Sequence, residues 1–197
     1  MPLFAMFLKL EGRRCLVVGA GRIAQPKIES LLLAGARVVV VAPRATSRVR
    51  ELAGSKQIVW RKRNYISSDL SGIFLVIAAT DSSSLQEKLY RLAQSRGVLC
   101  NSVDDPAHCD FFYPAVVRRG PLQIAISTSG ASPALAQRLR RRLEKQFGVA
   151  YTAWVEGLGQ ARRTLFANSM SAKSRRRLLH RMARTGPPRS RASRREA

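Results

Sequence analysis

The sequence predicts an α/β fold, with a Rossmann-like parallel sheet, then a hairpin and helix region, and last a small C-terminal helical segment. Three observations predict this fold. Apolar runs of strand length alternate with stretches of helical period in the first half of the chain. The motif GAGRIA at 19–24 joins one such run to the helix after it. After residue 112 the alternation stops and a hairpin pattern replaces it.

The alternation predicts strands at 14–19, 37–42, 72–80 and 98–104 and helices at 26–34 and from about 81 to 97. Residues 37–42 are nearly all valine, which is typical of a parallel strand buried on both faces. Asp81 or a serine after it can cap the second helix. At least four parallel strands with helices on both faces follow from this pattern.

The second half of the chain predicts a hairpin and two helices. The hairpin spans 111–128 around a turn at Arg119-Gly120-Pro121, and extends the sheet edge or forms a subunit contact. Ser132 is the expected cap of the next helix, with Pro133 at its first position. That helix carries an apolar stripe of Leu135, Leu139 and Leu143, and a second helix runs from about 149 to 167.

The resulting division has four parts. Residues 1–112 form the dinucleotide-binding part, 113–148 the hairpin and first helix, and 149–170 a helical segment. Residues 171–197 are rich in arginine and serine and contain two adjacent prolines, so we expect little fixed structure there.

The charge balance predicts an anionic partner. The chain of 197 residues has 35 lysines and arginines against 12 acids, a net charge of +23. Residues 151–197 hold 12 of these bases and two of the acids. Nucleic acid, an acidic lipid and a polycarboxylate substrate all fit such a balance, and composition leaves the three open.

Cysteine usage and the N-terminal residues predict a cytoplasmic protein without a membrane partner. Cys15, Cys100 and Cys109 are odd in number and have no paired spacing, which argues against a disulfide framework. The opening MPLFAMFLKLEG is too short to cross a bilayer and lacks a basic leader.

The motif at 19–24 predicts a dinucleotide site. Gly19 permits the tight turn, Gly21 lets the backbone approach a pyrophosphate, and Ala24 allows the helix to pack close to the strand. The second strand ends in Ala42-Pro43, where such folds usually place an acid for the ribose hydroxyls. Arg44 suits a 2′-phosphate, so this unit alone leaves NAD and NADP open, and a glycine turn that binds nothing is the alternative.

Two loops carry further chemistry. The segment CNSVDDPAHCDFF at 100–112 follows a strand, so a carboxylate there can act as acid or base at the carboxyl edge of the sheet. His108, Cys109 and Asp110 are consecutive and match no recognised metal spacing, so no metal site is predicted. The hydroxyl-rich STSGAS at 127–132 precedes a helix and suits an anionic group.

Four ordered segments resemble the precorrin-2 dehydrogenase/sirohydrochlorin ferrochelatase family, the N-terminal module of siroheme synthase. They are CLVVGAGRIAQPKIESLLLAGARVVVVAP, LVIAATD, CNSVDDP and ISTSGASPALAQRLRRRLE, and the resemblance covers about residues 3–147. It implies an NAD-dependent dehydrogenase that converts precorrin-2 to sirohydrochlorin, with ferrous iron as a second substrate where the chelatase activity is present. It also implies a homodimer, with the hairpin and helix region forming the contact, and the form without a methyltransferase domain.

The same resemblance assigns residues to roles. Arg22, Ile23, Pro43 and Arg44 line the dinucleotide site together with Gly19 and Gly21, and Asp104 is the catalytic aspartate. Substrate binding falls to Asn101, Ser127, Thr128 and Ser129.

The chain departs from the family pattern at four of its positions. They are Pro26, Ser82, Ser83 and Thr128. The rival hypothesis is a nucleotide-sensing or nucleic-acid-binding protein with a degenerate Rossmann fold and an arginine-rich tail. The tail's composition supports this rival, while the lack of a recognised nucleic-acid motif makes nucleic acid the less favoured partner.

Overall fold

The structure is a computed structural model that describes residues 3–187. The chain divides after Tyr113 into two compact units. The first unit contains a parallel sheet with its helices, and the second contains a hairpin and three helices.

Five parallel strands form the sheet of the first unit. They are β1 (Arg14–Val18), β2 (Arg37–Val41), β3 (Val59–Arg61), β4 (Leu75–Ala78) and β5 (Leu99–Ser102). Their order across the sheet is β3-β2-β1-β4-β5. The order runs outward in both directions from the boundary between β1 and β4, and such a switch point opens a crevice at the carboxyl ends of the strands.

Helices cover both faces of this sheet, as the sequence predicts. They are α1 (Ala24–Leu33), α2 (Ser47–Gly54) and α3 (Ser83–Ser95). Residues of α1 and α2 share one buried apolar cluster with alternate residues of the strands, and α3 contributes to a second cluster with the other residues of the strands. The valines of β2 therefore face both clusters, which explains why the strand is almost uniformly apolar.

Two elements of the sheet unit are absent from the prediction. Strand β3 has three residues and no fully buried one, so it lacks an apolar run long enough to be recognised. Helix α2 has eight residues and starts at a Thr46 cap, whose hydroxyl accepts a hydrogen bond from the Val49 amide. The Ser82 hydroxyl caps α3 by accepting from the Leu85 amide, so a serine after Asp81 is the cap.

The second unit begins with the expected hairpin. Its elements are β6 (Ala115–Arg119), β7 (Leu122–Ile126), α4 (Pro133–Gln146), α5 (Ala150–Ala167) and α6 (Ala172–Arg184). The hairpin is a separate two-stranded antiparallel sheet and does not extend the edge of the five-stranded sheet. Ser132 caps α4 through the Leu135 amide, with Pro133 at the first helical position, as predicted.

Helix α6 corrects the expectation of little fixed structure after residue 171. It begins at a Ser171 cap and continues to Arg184, while residues 188–197 lie outside the described part. Arginine is a good helix former, so a basic segment can be helical when its apolar residues have a surface to pack on. The half-buried Leu178, Leu179 and Met182 provide that contact, since α6 packs on α5.

One face of α6 carries an uninterrupted row of basic side chains, called here the α6 basic row: Lys173, Arg176, Arg177, His180, Arg181 and Arg184. Spacings of three and four residues place them on the same side of the helix. No acidic residue lies between 157 and 187. Among residues 3–187, no helix combines the length and apolar character that crossing a membrane requires.

Candidate functional site

The glycine turn after β1 lies at the crevice of the sheet. Gly19 has a φ of 105°, and a Cβ atom there would overlap the carbonyl oxygen of Ala79, the residue that follows β4. Its amide donates to the carbonyl of Val41 at the end of β2 (2.9 Å). The turn is thus packed against β4 and hydrogen-bonded to β2, and only glycine fits at residue 19.

Gly21 has the opposite environment. A Cβ atom at Gly21 would have no other atom within 4 Å, so the backbone there is open to a ligand. Helix α1 starts at Ala24 with no side-chain cap and no acid in its first turn. Pro26 lies in this first turn, which is where a helix tolerates proline. Free amides, positive dipole and an open glycine backbone together fit the pyrophosphate of a dinucleotide.

The loop after β2 lies beside this turn. The Thr46 amide donates to the Ala20 carbonyl (3.1 Å), and the Thr46 hydroxyl donates to Gln25 (3.1 Å). Pro43 and Arg44 are exposed in this loop, and Arg22 and Ile23 are exposed at the start of α1. The structure therefore brings the predicted dinucleotide residues together at one edge of the sheet.

Asp104 follows β5 at the same carboxyl edge, two strands from β1 in the sheet. Since neighbouring strands lie about 4.8 Å apart, the ends of β1 and β5 are separated by about 10 Å. Asp104 is exposed and has a φ of 62°, in the left-handed region that favours glycine. Strained backbone of this kind concentrates at functional sites, because the surrounding structure must hold it in place.

Hydrogen bonds hold the segment that carries Asp104. The Asp110 carboxylate accepts from the Cys100 amide (2.8 Å) and from the side chain of Gln94 (2.6 Å). His108 and Asp105 are joined at 2.6 Å between Nδ1 and Oδ2. The segment folds back on the sheet through an antiparallel bridge between Asn101 and Cys109. Asp104 thus lies in a loop that these hydrogen bonds and the bridge hold in place.

The position of Asn101 does not fit the substrate contact expected of it. Its side chain is buried, and its amide nitrogen donates to the carbonyl of Phe111 (2.8 Å) and contacts the sulfur of Cys109 (3.3 Å). Asn101 therefore holds the Asp104 loop. The signal that could have shown this is the position of Asn101 between Cys100 and Ser102, inside a short strand whose last three residues are all buried.

Gln86 is a site residue that the sequence did not indicate. Its buried side-chain nitrogen donates to the carbonyls of Thr80 (2.8 Å) and Val103 (3.3 Å). Thr80 follows β4 and Val103 follows β5, so one amide links the two loops beside the crevice. A polar residue on the buried face of an otherwise amphipathic helix was the available signal.

Lys27 and Tyr113 form a second feature that the sequence did not indicate. The Lys27 ammonium lies 4.1 Å from the centroid of the Tyr113 ring. Burial lowers the pKa of Lys27, while the negative charge of Asp104 acts to raise it. This lysine belongs to the first turn of α1, yet its pKa responds to the charge of Asp104 in the loop after β5.

The cysteines near the site are poor nucleophiles. Burial raises the pKa of Cys100 to about 12 and also raises the pKa of Cys109. The single thiol hydrogen of Cys109 is shared between the carbonyls of Ser102 (3.1 Å) and Asp105 (3.2 Å). Within residues 3–187, no group of three histidine, cysteine or acidic side chains is placed to hold a metal ion.

The hydroxyl-rich loop belongs to the second unit. The Thr128 hydroxyl accepts a hydrogen bond from the Ser132 amide (3.0 Å), and the Ser127 hydroxyl accepts one from the Ser129 amide (3.1 Å). Ser129 has a φ of 50°, a second left-handed residue among those assigned to the site. Ser127 and Ser129 are exposed just before α4, and Thr128 is half-buried, with its hydroxyl proton still available to an acceptor.

Two family profiles match the chain. One is described as putative NAD(P)-binding and covers residues 6–115. The other is described as sirohaem biosynthesis protein central and covers residues 119–146. The first profile covers most of the first unit, and the second covers β7 and α4 of the second unit but not α5 and α6.

Curated relatives and a solved structure are also similar to the chain. Siroheme synthase of Nitrosococcus oceani is 43% identical over 151 residues, which are 77% of this chain and 32% of that protein. Siroheme synthase of Neisseria meningitidis serogroup C is 37% identical over 177 residues, 90% of this chain and 37% of that protein. The chain thus spans about a third of the length of these relatives. The solved structure of SirC, precorrin-2 dehydrogenase, has a TM-score of 0.78 and 28% identity, and the match covers 91% of this chain and 89% of that one.

Proposed function

Because the chain belongs to the putative NAD(P)-binding family, we propose that it is a nicotinamide-dependent dehydrogenase of siroheme biosynthesis, which oxidises precorrin-2 to sirohydrochlorin. The similarity to siroheme synthases and to a precorrin-2 dehydrogenase over 91% of the chain supports this activity. The single observation that carries it is the placement of Asp104 at the same sheet edge as the open glycine turn. The comparisons do not favour the rival nucleic-acid-binding hypothesis.

The reaction removes two electrons and two protons from the substrate. A nicotinamide held at the glycine turn would supply the hydride acceptor, and the second proton must go to a base. Asp104 is exposed, held by a braced loop and near the crevice, so we assign it the role of proton acceptor. Asn101 and Gln86 are assigned positioning roles, because Gln86 bonds to the Val103 carbonyl before Asp104 and Asn101 bonds to the Phe111 carbonyl after it.

NAD is the proposed form of the cofactor. The family resemblance supports NAD, while the exposed Arg44 after β2 is available to either form. Titration calorimetry with NAD and with NADP distinguishes them, and we expect tighter binding of NAD. Tighter binding of NADP would assign Arg44 to a 2′-phosphate.

The hydroxyl-rich loop of the second unit, at 127–132, is proposed to bind carboxylates of the substrate. Exposed Ser127 and Ser129 and the hydroxyl of Thr128 offer neutral donors just before the N-terminus of α4. Precorrin-2 carries acetate and propionate groups, and the strongly basic chain suits such an anion.

A homodimer is the proposed assembly. The second unit has few buried apolar residues among 114–187, namely Ala115, Val117 and Ala136. Large apolar side chains remain exposed there, namely Leu135, Val149, Phe166 and Met170. A two-stranded hairpin is marginally stable alone, so a second copy of the chain is the expected cover for this unit.

Ferrous iron is proposed as a second substrate. Insertion of Fe²⁺ into sirohydrochlorin releases two pyrrole protons, and Asp104 is available to accept them. A metal-insertion assay with purified sirohydrochlorin tests this, and parallel loss of both activities on Asp104→Asn is the expected result.

The dehydrogenase assignment is tested by mixing the protein with precorrin-2 and NAD and following the absorbance of sirohydrochlorin and of the reduced nicotinamide. We expect both products in equal amounts. A protein that binds NAD but leaves precorrin-2 unchanged would refute the assignment.

A further inference from the structure

Lys27 lies near the two parts of the first unit that the proposed reaction uses, namely the glycine turn and the Asp104 loop. It belongs to the first turn of α1, directly after the glycine turn. Its ammonium stacks on the ring of Tyr113, at 4.1 Å from the centroid, and Tyr113 ends the segment that returns from the Asp104 loop. The aliphatic stem is thus half-buried while the charged end is held at a fixed place.

Among residues 3–187, this ammonium has no acidic counter-ion within ion-pair distance. Seven ion pairs occur among residues 3–187, and none includes Lys27. No side-chain hydrogen bond in the same part of the chain uses its three donors. A ring face attracts the charge but accepts none of these hydrogen bonds, so the donors stay available.

Placing a cation here costs free energy that an anion can offset. Burial disfavours the charged form of Lys27, and Asp104 favours it through its negative charge. Asp104 nevertheless lies beyond ion-pair distance, since the two residues form no contact within 4.0 Å. A carboxylate of a ligand can therefore meet Lys27 without displacing an internal partner.

We propose that Lys27, supported by the Tyr113 ring, is a carboxylate-binding subsite that holds one acetate or propionate of the tetrapyrrole beside Asp104. The inference rests on the proposed function and adds to it the residue that anchors the substrate in the first unit. A point cation on a rigid ring fixes one edge of the macrocycle. That contact orients the macrocycle so that its reacting carbon and nitrogen atoms lie near the Asp104 carboxylate.

The test compares Lys27→Met, Lys27→Arg and the control Lys88→Met. Methionine keeps length and apolar contact with the ring but removes the charge. Lys88 is an exposed lysine of α3, and its change to methionine removes the same charge from a surface position. Direct binding of sirohydrochlorin is measured by fluorescence quenching, NAD binding by calorimetry, and KM and kcat with precorrin-2.

We expect Lys27→Met to weaken sirohydrochlorin binding and to raise KM by about 10-fold to 100-fold, the effect of losing a charge-assisted hydrogen bond. NAD affinity and the thermal midpoint stay as in the wild type, Lys27→Arg recovers most of the binding, and Lys88→Met changes nothing. If Lys27→Met fails to fold, Lys27→Gln replaces it with the same expectation.

Two results would overturn the subsite. One is unchanged sirohydrochlorin binding by a folded Lys27→Met protein. The other is a fall in kcat with a shifted pH profile and unchanged KM, which would mean that Lys27 acts through Asp104. A wild-type protein that binds no sirohydrochlorin at all would instead refute the proposed function, so the two failures are distinguishable.

Discussion

At the scale of single residues, the two glycines of the turn have separate tasks. Gly19 is surrounded by backbone, and any side chain there meets the carbonyl of Ala79. Gly21 faces open space. We expect Gly19→Ala to lower the free energy of unfolding by about 2 kcal/mol or more, because the Ala79 carbonyl belongs to the backbone and cannot shift without further strain. Urea denaturation measures it, with Gly21→Ala as the control of near wild-type stability.

Gly21→Asp separates cofactor binding from folding. The new side chain has space, so the fold should persist, but its bulk and negative charge oppose a pyrophosphate. We expect NAD binding to be lost in calorimetry while circular dichroism stays native. Unchanged NAD affinity in the folded variant would remove the glycine turn from the cofactor site.

Asp104 combines chemical function with backbone strain. Asp104→Asn keeps the shape and loses the basicity, so we expect sirohydrochlorin formation to fall about 10²–10⁴-fold, with NAD affinity unchanged. Asp105→Asn should be milder, since Asp105 pairs with His108 inside the loop. Near-normal turnover by Asp104→Asn would remove it from the mechanism.

Asp104→Gly tests the strain itself. The φ of 62° suits glycine, and relief of strain opposes the added chain entropy of glycine in the unfolded state. The unfolding free energy should therefore change by less than about 1 kcal/mol while activity is lost. A large loss of stability would mean that the Asp104 side chain holds the loop.

At the scale of elements, Asp69 fixes the short helical turn between β3 and β4. Its carboxylate is fully buried and pairs with Arg61 and with Arg63 (2.7 Å). Hydrogen bonds from Arg63, from the Ile66 amide and from Arg61 lower the pKa of Asp69 to about 2. This cluster could not be predicted from the sequence, because its three members lie in a segment without periodicity.

The lowered pKa predicts a loss of stability in acid. A carboxyl whose pKa is lower in the folded state stabilises the fold fully above its unfolded value of about 3.9. That contribution, about 2 kcal/mol, is lost as the pH falls from about 4 to about 2. Urea midpoints across this range should fall less in Asp69→Asn than in the wild type. Glu51→Gln, which removes an exposed pair with Arg48, should behave like the wild type.

Elements with long apolar runs could be predicted from the sequence, and elements that depend on tertiary contacts could not. The valines of β2 and the capped start of α4 carry local signals, and the structure confirms both. Strand β3 exists because β2 offers a free edge, and α6 because α5 offers an apolar surface. Composition alone favoured disorder for α6. The site follows the same rule. The glycine motif is a local signal, while the contact between Lys27 and Tyr113 joins residues that are far apart in the sequence.

At the scale of the whole molecule, the sparse core of the second unit bears on assembly. A chain of 21.8 kDa should elute and scatter light as a particle of about twice that mass, because the exposed apolar residues of this unit need a cover. Leu135 is 45% exposed on α4, and Leu135→Glu should shift the population towards monomer. A wild-type monomer at micromolar concentration would contradict the proposed homodimer.

The α6 basic row makes this helix respond to dissolved ions in the opposite sense to a helix that carries a pair of opposite charges. Like charges such as Lys173–Arg177 and Arg177–Arg181 repel along it, each by about 0.2–0.5 kcal/mol. Counter-ions screen this repulsion, so added salt should slow amide hydrogen exchange across 172–184. Helix α3 is the internal comparison, because its Arg91–Glu87 pair attracts and should weaken slightly. Faster exchange of α6 at high salt would show that attractive charge interactions, rather than repulsion along the row, dominate in this helix.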